Sequence, residues 1–212
     1  LFLIASLSIT KIVGQEKKFP NDPQEAKFET TDIQNFWIAF DSTKISNKNP
    51  FETYIKNGTI GLQGFIPNRI ISADSLLNMV NRRKQDYEKI RGIETKIKEV
   101  EKKVKPYFYA LEYWYPYAVY PPVYFVVGRF NSGGTTSEDG LLIGAEKLTS
   151  LDHLPELVIH ESIHFQQKWP EGGETNLLQH SILEGMADFI AELTTGIKGN
   201  VAANEYGNRH KE

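Results

Sequence analysis

Two histidines with a glutamate directly after the first, in the stretch His160-Glu161-Ser162-Ile163-His164, constrain this chain more than any other feature. On a helix, residues four apart stand one turn above each other on the same face, so both imidazoles can reach a single point in space. Glu161 is rotated by about 100° from His160, which sets its carboxylate beside that point rather than on it. The flanks read as helix: Leu154, Leu157, Val158, Ile159 and Ile163 recur at helical spacing, and Pro155 suits a first turn. A fold that uses these groups together must bring a second element against this helix.

That second element is legible downstream. After a loop at Pro170-Glu171-Gly172-Gly173-Glu174-Thr175, a stripe of Leu177, Leu178, Ile182, Leu183, Met186, Phe189, Ile190 and Leu193 predicts a helix ended by Gly196. Glu184 and Asp188 are four apart on it and share a face. Catalytic zinc usually takes three protein ligands plus water, and the chain has no cysteine to offer. Glu184 is therefore expected as third ligand, beside His160 and His164, of one Zn2+. Asp188 is placed to accept the free ring N–H of a liganding histidine. Glu161 is expected to act as general base on a zinc-bound water, a pattern that points to hydrolysis of a peptide bond. Gly185, costly by about 1 kcal/mol inside a helix, predicts close packing at that point.

The motif HExxH followed about twenty residues later by Glu-x-x-x-Asp resembles the gluzincin group of zinc metallopeptidases. A more specific likeness covers about residues 107–196. Gly128-Arg129-Phe130-Asn131-Ser132-Gly133-Gly134-Thr135, the HExxH stretch and Ser181-Ile182-Leu183-Glu184-Gly185-Met186-Ala187-Asp188-Phe189 are similar to a bacterial family of uncharacterised, predicted zinc-dependent proteases. The resemblance implies His160, His164 and Glu184 as ligands and Glu161 as base. It also implies a donor for the oxyanion from downstream of the third ligand, where Tyr206, Arg209 and His210 lie; Tyr206 and His210 are the candidates. His180, one turn before Glu184, is either a structural residue or a contact to the site.

The rest of the chain predicts an α+β, zincin-like fold: N-terminal helices, a small β-sheet, then the active-site helix and the zinc-ligand helix. Residues 1–14 are apolar and give way to Gln15-Glu16-Lys17-Lys18, as in the hydrophobic part of a secretory signal, which makes an exported, periplasmic or extracellular protein the expectation. This opening is too short and too interrupted to span a membrane. Residues 15–27 read as a flexible lead-in and 28–212 as one catalytic domain, whose tail from Ala202 shows no clear terminating feature. Thr30, Thr31 and Asp32 offer N-caps for a helix with Ile33, Phe36, Trp37 and Phe40, aromatics that read as core rather than as cleft lining. Phe51, Tyr54 and Ile55 predict another helix, broken at Asn57-Gly58. A long charged helix is expected from Asp74 to about Lys103 with a solvated ionic face, kinked or divided at Gly92; a change of character follows at Pro106. Val123–Val127 and Leu141–Gly144 predict strands, joined by a loop over 131–140. A sheet edge beside the active helix is expected to hold extended peptide, with either strand in that role.

Charge and composition exclude other classes. A net charge of −3 leaves no electrostatic footprint for nucleic acid. The absence of cysteine removes disulfide scaffolds and thiolate nucleophiles. Gly133-Gly134 lacks the lysine and spacing of a phosphate loop. The expected partner is a peptide or protein substrate. The alternative is a non-catalytic binding module of the cell envelope that keeps the fold and uses zinc as a clamp. An open coordination position and a carboxylate base would distinguish the enzyme.

Overall fold

The computed structural model describes residues 19–148, 150–167 and 175–210. The signal-like opening and residues 170–174 of the expected loop lie outside the described residues. The chain is α+β, and its small sheet is mixed rather than simply parallel or antiparallel. Among the described residues, no helix is long and apolar enough to cross a membrane.

The N-terminal part is helical. Helix α1 (Thr31–Ser42) buries Ile33, Phe36, Trp37 and Phe40, so the aromatic stripe is core. Helices α2 (Phe51–Lys56) and α3 (Ile60–Phe65) follow, with Asn57 capping the first. Asp32, although charged, is buried at the start of α1, where its carboxylate accepts the Thr59 N–H at 3.0 Å and the Thr59 hydroxyl. Burial raises its pKa, and the Thr59 bonds oppose that rise. Thr59 in turn caps α3, so one buried acid ties two helix starts together. Residues 66–70 extend α3 as a π turn.

The charged segment expected to run as one helix is three: α4 (Ala73–Arg82), α5 (Lys84–Glu88) and α6 (Ile93–Trp114). Gly92 makes the division before α6, with φ at +78° in the left-handed region. Its exposed face carries the ion pairs Arg83–Asp86, Lys89–Asp86 and Arg91–Glu88. Pro106 does not end α6, which continues two turns beyond it. An internal proline costs about 3 kcal/mol. Ile93, Ile97, Val100, Val104, Phe108 and Leu111 form one buried stripe across it, and that tertiary packing outweighs the local cost.

Four strands form the sheet in the order β1-β2-β4-β3: β1 (Phe28–Glu29), β2 (Val123–Val126), β3 (Gly134–Ser137) and β4 (Gly140–Gly144). β1, β2 and β4 are mutually parallel; β3 folds back on β4 as an antiparallel hairpin. β4 is buried throughout, as an apolar run in a covered parallel sheet should be. β3, from the stretch expected to be loop, is half-buried and is an edge strand. The expected lead-in is packed from Phe19 onward. Phe19 meets Phe165 edge to face, Pro20 O accepts the Tyr120 N–H at 2.7 Å, and Ala26 is buried.

Between β2 and β3 the chain is held as a shelf. The hydroxyl of Tyr54 accepts from Val127 N–H and donates to Val127 O, and the Tyr87 hydroxyl donates to Gly128 O at 2.6 Å. Arg69 O accepts from Arg129 Nε and Asn131 Nδ2 at 2.9 and 3.0 Å. Phe130 takes a left-handed φ of +61° and is sandwiched by Tyr87 and Arg83. Beneath it, Glu146 is fully buried and accepts the Phe130 N–H at 3.1 Å. Burial raises the Glu146 carboxyl to about 7, against backbone N–H groups that favour its charge. A raised acid keeps its proton longer when folded, so this group's contribution is full at low pH and is lost as pH rises through about 7. The expected loss is on the order of 3 kcal/mol. Thermal unfolding of wild type and Glu146→Gln across this range should show the wild type falling relative to the variant as pH rises; parallel pH profiles would contradict the assignment.

Candidate metal centre

Helix α7 (Leu154–Gln166), which carries His160-Glu161-Ser162-Ile163-His164, has Pro155 in its first turn and buries Val158, Ile159, Ser162 and Ile163 against α6 and the sheet. The second helix α8 (Leu177–Thr195) opens on a capping box of Asn176 with Gln179 and stops at Gly196, whose φ is +70°. It meets α7 through Ala187 and Ala191, both fully buried. The apolar stripe that marks this helix in the sequence faces the other way. Leu178, Ile182, Met186, Phe189 and Leu193 are exposed, because they lie on the opposite side of the helix from the two alanines. Around Gly185 the space is open, so the close packing expected there is provided by the alanines instead.

This approach brings three donor atoms together. His160 Nε2 and His164 Nε2 are 3.0 Å apart, and Glu184 Oε2 lies 3.2 Å from the second and 3.5 Å from the first. A tetrahedral zinc with bonds of about 2.0 to 2.1 Å needs ligand atoms about 3.3 Å apart. The observed triangle has about that size. The donor set, two imidazoles and a carboxylate without a second carboxylate on the same point, also suits zinc chemically.

Behind the triangle, Asp188 Oδ1 lies 2.9 Å from His160 Nδ1, an ion-pair distance, and Asn200 Nδ2 donates to Asp188 Oδ2 at 2.8 Å. A carboxylate this close to Nδ1 favours the His160 tautomer protonated there, with its Nε2 lone pair on the triangle. His160 has a lowered pKa, from burial first and then from the neighbouring His164, so the neutral form that a metal requires is favoured. Glu156, His160 and Asp188 form a second close group of possible ligands, but it shares the His160 nitrogen already given to Asp188.

Glu161 is buried and carries its carboxyl on the sheet side of α7. Burial pushes it up to about 7, helped by the Glu184 carboxylate and opposed by His164 and Arg69. A cation on the triangle would oppose the rise further. Gly134, the first residue of β3, lies directly against it: a Cβ built there would stand 2.8 Å from Glu161 Cδ and Cγ, and closer still to Oε1.

His180 Nε2 is 3.8 Å from Glu184 Oε1, which sets this half-exposed ring beside the ligand's other oxygen. Tyr206 lies on α9 (Val201–Arg209), which has no buried residue, and His210 caps its end; the two rings stack on each other at 4.1 Å. Arg209 bonds the Glu205 carbonyl. Among the described residues, the hydrogen bonds and ion pairs of the triangle include none of these three. Sequence reasoning missed Gln167, Asn200 and Gly134. Gln167 Oε1 is 2.8 Å from His164 Nδ1, and its Nε2 donates to Leu183 O at 2.9 Å. The only sequence signal for Gln167 was its place one turn after His164; for Gly134 it was the Gly-Gly pair.

Two imidazoles and a carboxylate that converge on one point, with the buried Glu161 carboxyl on the same helix as the imidazoles, are the parts needed to polarise a carbonyl and move a proton. No protein-family model, curated protein or solved structure matches this chain.

Proposed function

We propose that this chain is a zinc-dependent, gluzincin-like metallopeptidase with a zincin-like fold, in which His160, His164 and Glu184 hold one zinc ion and Glu161 is the general base. The observation that carries the reading is the His160–His164–Glu184 triangle of tetrahedral size, with the Glu161 carboxyl buried and within electrostatic reach of His164 and Glu184. A metal held there would supply Lewis acidity toward a carbonyl oxygen and a water. Glu161 takes the proton of the attacking water and returns it to the amine that leaves, so its carboxyl is restored at the end of each turnover.

β3 supports the choice of a peptide as substrate. It is one of the two edge strands of the sheet, it begins against Glu161, and only its β4 side is paired among the described residues. An extended peptide adding to that edge would run past the general base. The two strands expected in the sequence, β2 and β4, are interior to the sheet and cannot take the role; β3, from the stretch expected to be loop, offers the edge instead.

The reading is tested by incubating the purified protein with a diverse mixture of synthetic peptides and following cleavage by mass spectrometry. Cleavage should disappear on chelating the metal and return on adding zinc. Intact peptides in the presence of zinc-loaded protein would overturn the peptidase and favour the non-catalytic binding module.

A further inference from the structure

We infer that Gln167 is a positioning residue that fixes the tautomer of His164 and locks the third-ligand helix to it. The inference rests on the zinc reading for its consequence, but not for its geometry. The amide of Gln167 bridges two groups, His164 Nδ1 at 2.8 Å and Leu183 O at 2.9 Å. A backbone carbonyl only accepts hydrogen bonds, so the end of the amide facing Leu183 must be the NH2. The carbonyl end then faces His164, and Nδ1 must be the protonated nitrogen. Nε2 is left with its lone pair, aimed at His160 Nε2 and Glu184 Oε2. One amide thus links a main-chain carbonyl on α8 to the Nε2 atom that His164 presents from α7.

The same amide sets a distance. Leu183 directly precedes Glu184, so the bridge anchors the helical turn that presents the third ligand to the ring that presents the second. Its backbone is fixed too, since Gln167 N–H caps α7 on Ile163 O and His164 O. His160 is oriented by a carboxylate and His164 by a neutral amide, so the two rings are held alike with only one added charge. Gln166, its neighbour, faces away and bonds Val119 N and O behind α7.

The test compares wild type with Gln167→Met, which keeps the length and loses the amide, and with Gln166→Met as a control for damage to the end of α7. The first readout is the His164 tautomer in metal-free protein, from long-range proton–nitrogen NMR at a pH where the ring is neutral. The second is zinc affinity by competition with a chelating dye. Wild type and Gln166→Met should show the Nδ1–H form; Gln167→Met should show a mixture and bind zinc about 10- to 100-fold more weakly. An unchanged tautomer with unchanged zinc affinity in Gln167→Met would overturn the inference, as would an equal effect from Gln166→Met. If wild type bound no zinc, the zinc centre would fail on its own and the tautomer would still decide the role of Gln167. Failure to cleave peptides bears on neither readout.

Discussion

Replacing Glu161 by Gln is expected to lower kcat for peptide hydrolysis about 100- to 10,000-fold while one zinc stays bound per chain. The substitution keeps the shape of a buried side chain that lies against Gly134, so the helix and the ligand triangle should be undisturbed. What is lost is the capacity to accept a proton, because an amide oxygen is far too weak a base to take one from water. Loss of activity with zinc retained separates a base from a ligand. A Glu161→Gln protein of full activity would remove Glu161 from the mechanism.

The second large effect is expected at Gly134, a residue that touches no donor atom of the triangle. In Gly134→Ala the new methyl would overlap the Glu161 carboxylate, 2.8 Å from Cδ and Cγ. Glu161 is enclosed by α7 and the sheet and has little room to withdraw. A displacement of the base by about 1 Å can cost about 100-fold in rate, so kcat should fall by that order with zinc content unchanged. Gly133→Ala supplies the comparison, since nothing lies within 4 Å of a Cβ there and its φ is not in the left-handed range. Steady-state kinetics on the two variants should separate them clearly. Equal activities would show that the close approach of β3 to Glu161 has no part in catalysis.

The helix spacing of the sequence located both ligand helices and their ends, including the turn at Pro155 and the stop at Gly196. It also set Asp188 within reach of one of the two motif histidines, and in the structure its Oδ1 lies 2.9 Å from His160 Nδ1. These features depend on residues three or four apart, whose relation is set by helix geometry alone. What depends on distant residues was not legible. The stripe from Leu178 to Leu193 revealed a helix but not which face packs, and the packed face turned out to be the one with Ala187 and Ala191. Pro106 reads locally as a break, yet the buried row from Ile93 to Leu111 carries the helix through it. β1 is two residues long and β3 is Gly-Thr-Thr-Ser, so neither has an apolar pattern; each exists because a neighbouring strand offers its edge. Tyr206 and His210 have the right chemistry for an oxyanion donor, but α9 is exposed along its length and holds them against each other. Arg69, whose charge acts on Glu161 and whose carbonyl anchors the shelf before β3, lies nearly a hundred residues away in the chain and had no local motif to mark it.

The measurement closest to the central claim is the zinc content, by elemental analysis, of purified wild type and Glu161→Gln. One zinc per chain in both proteins is the expected result, since His160, His164 and Glu184 are untouched by the substitution. Zinc absent from both would contradict a metal centre at this triangle, and with it the proposed chemistry.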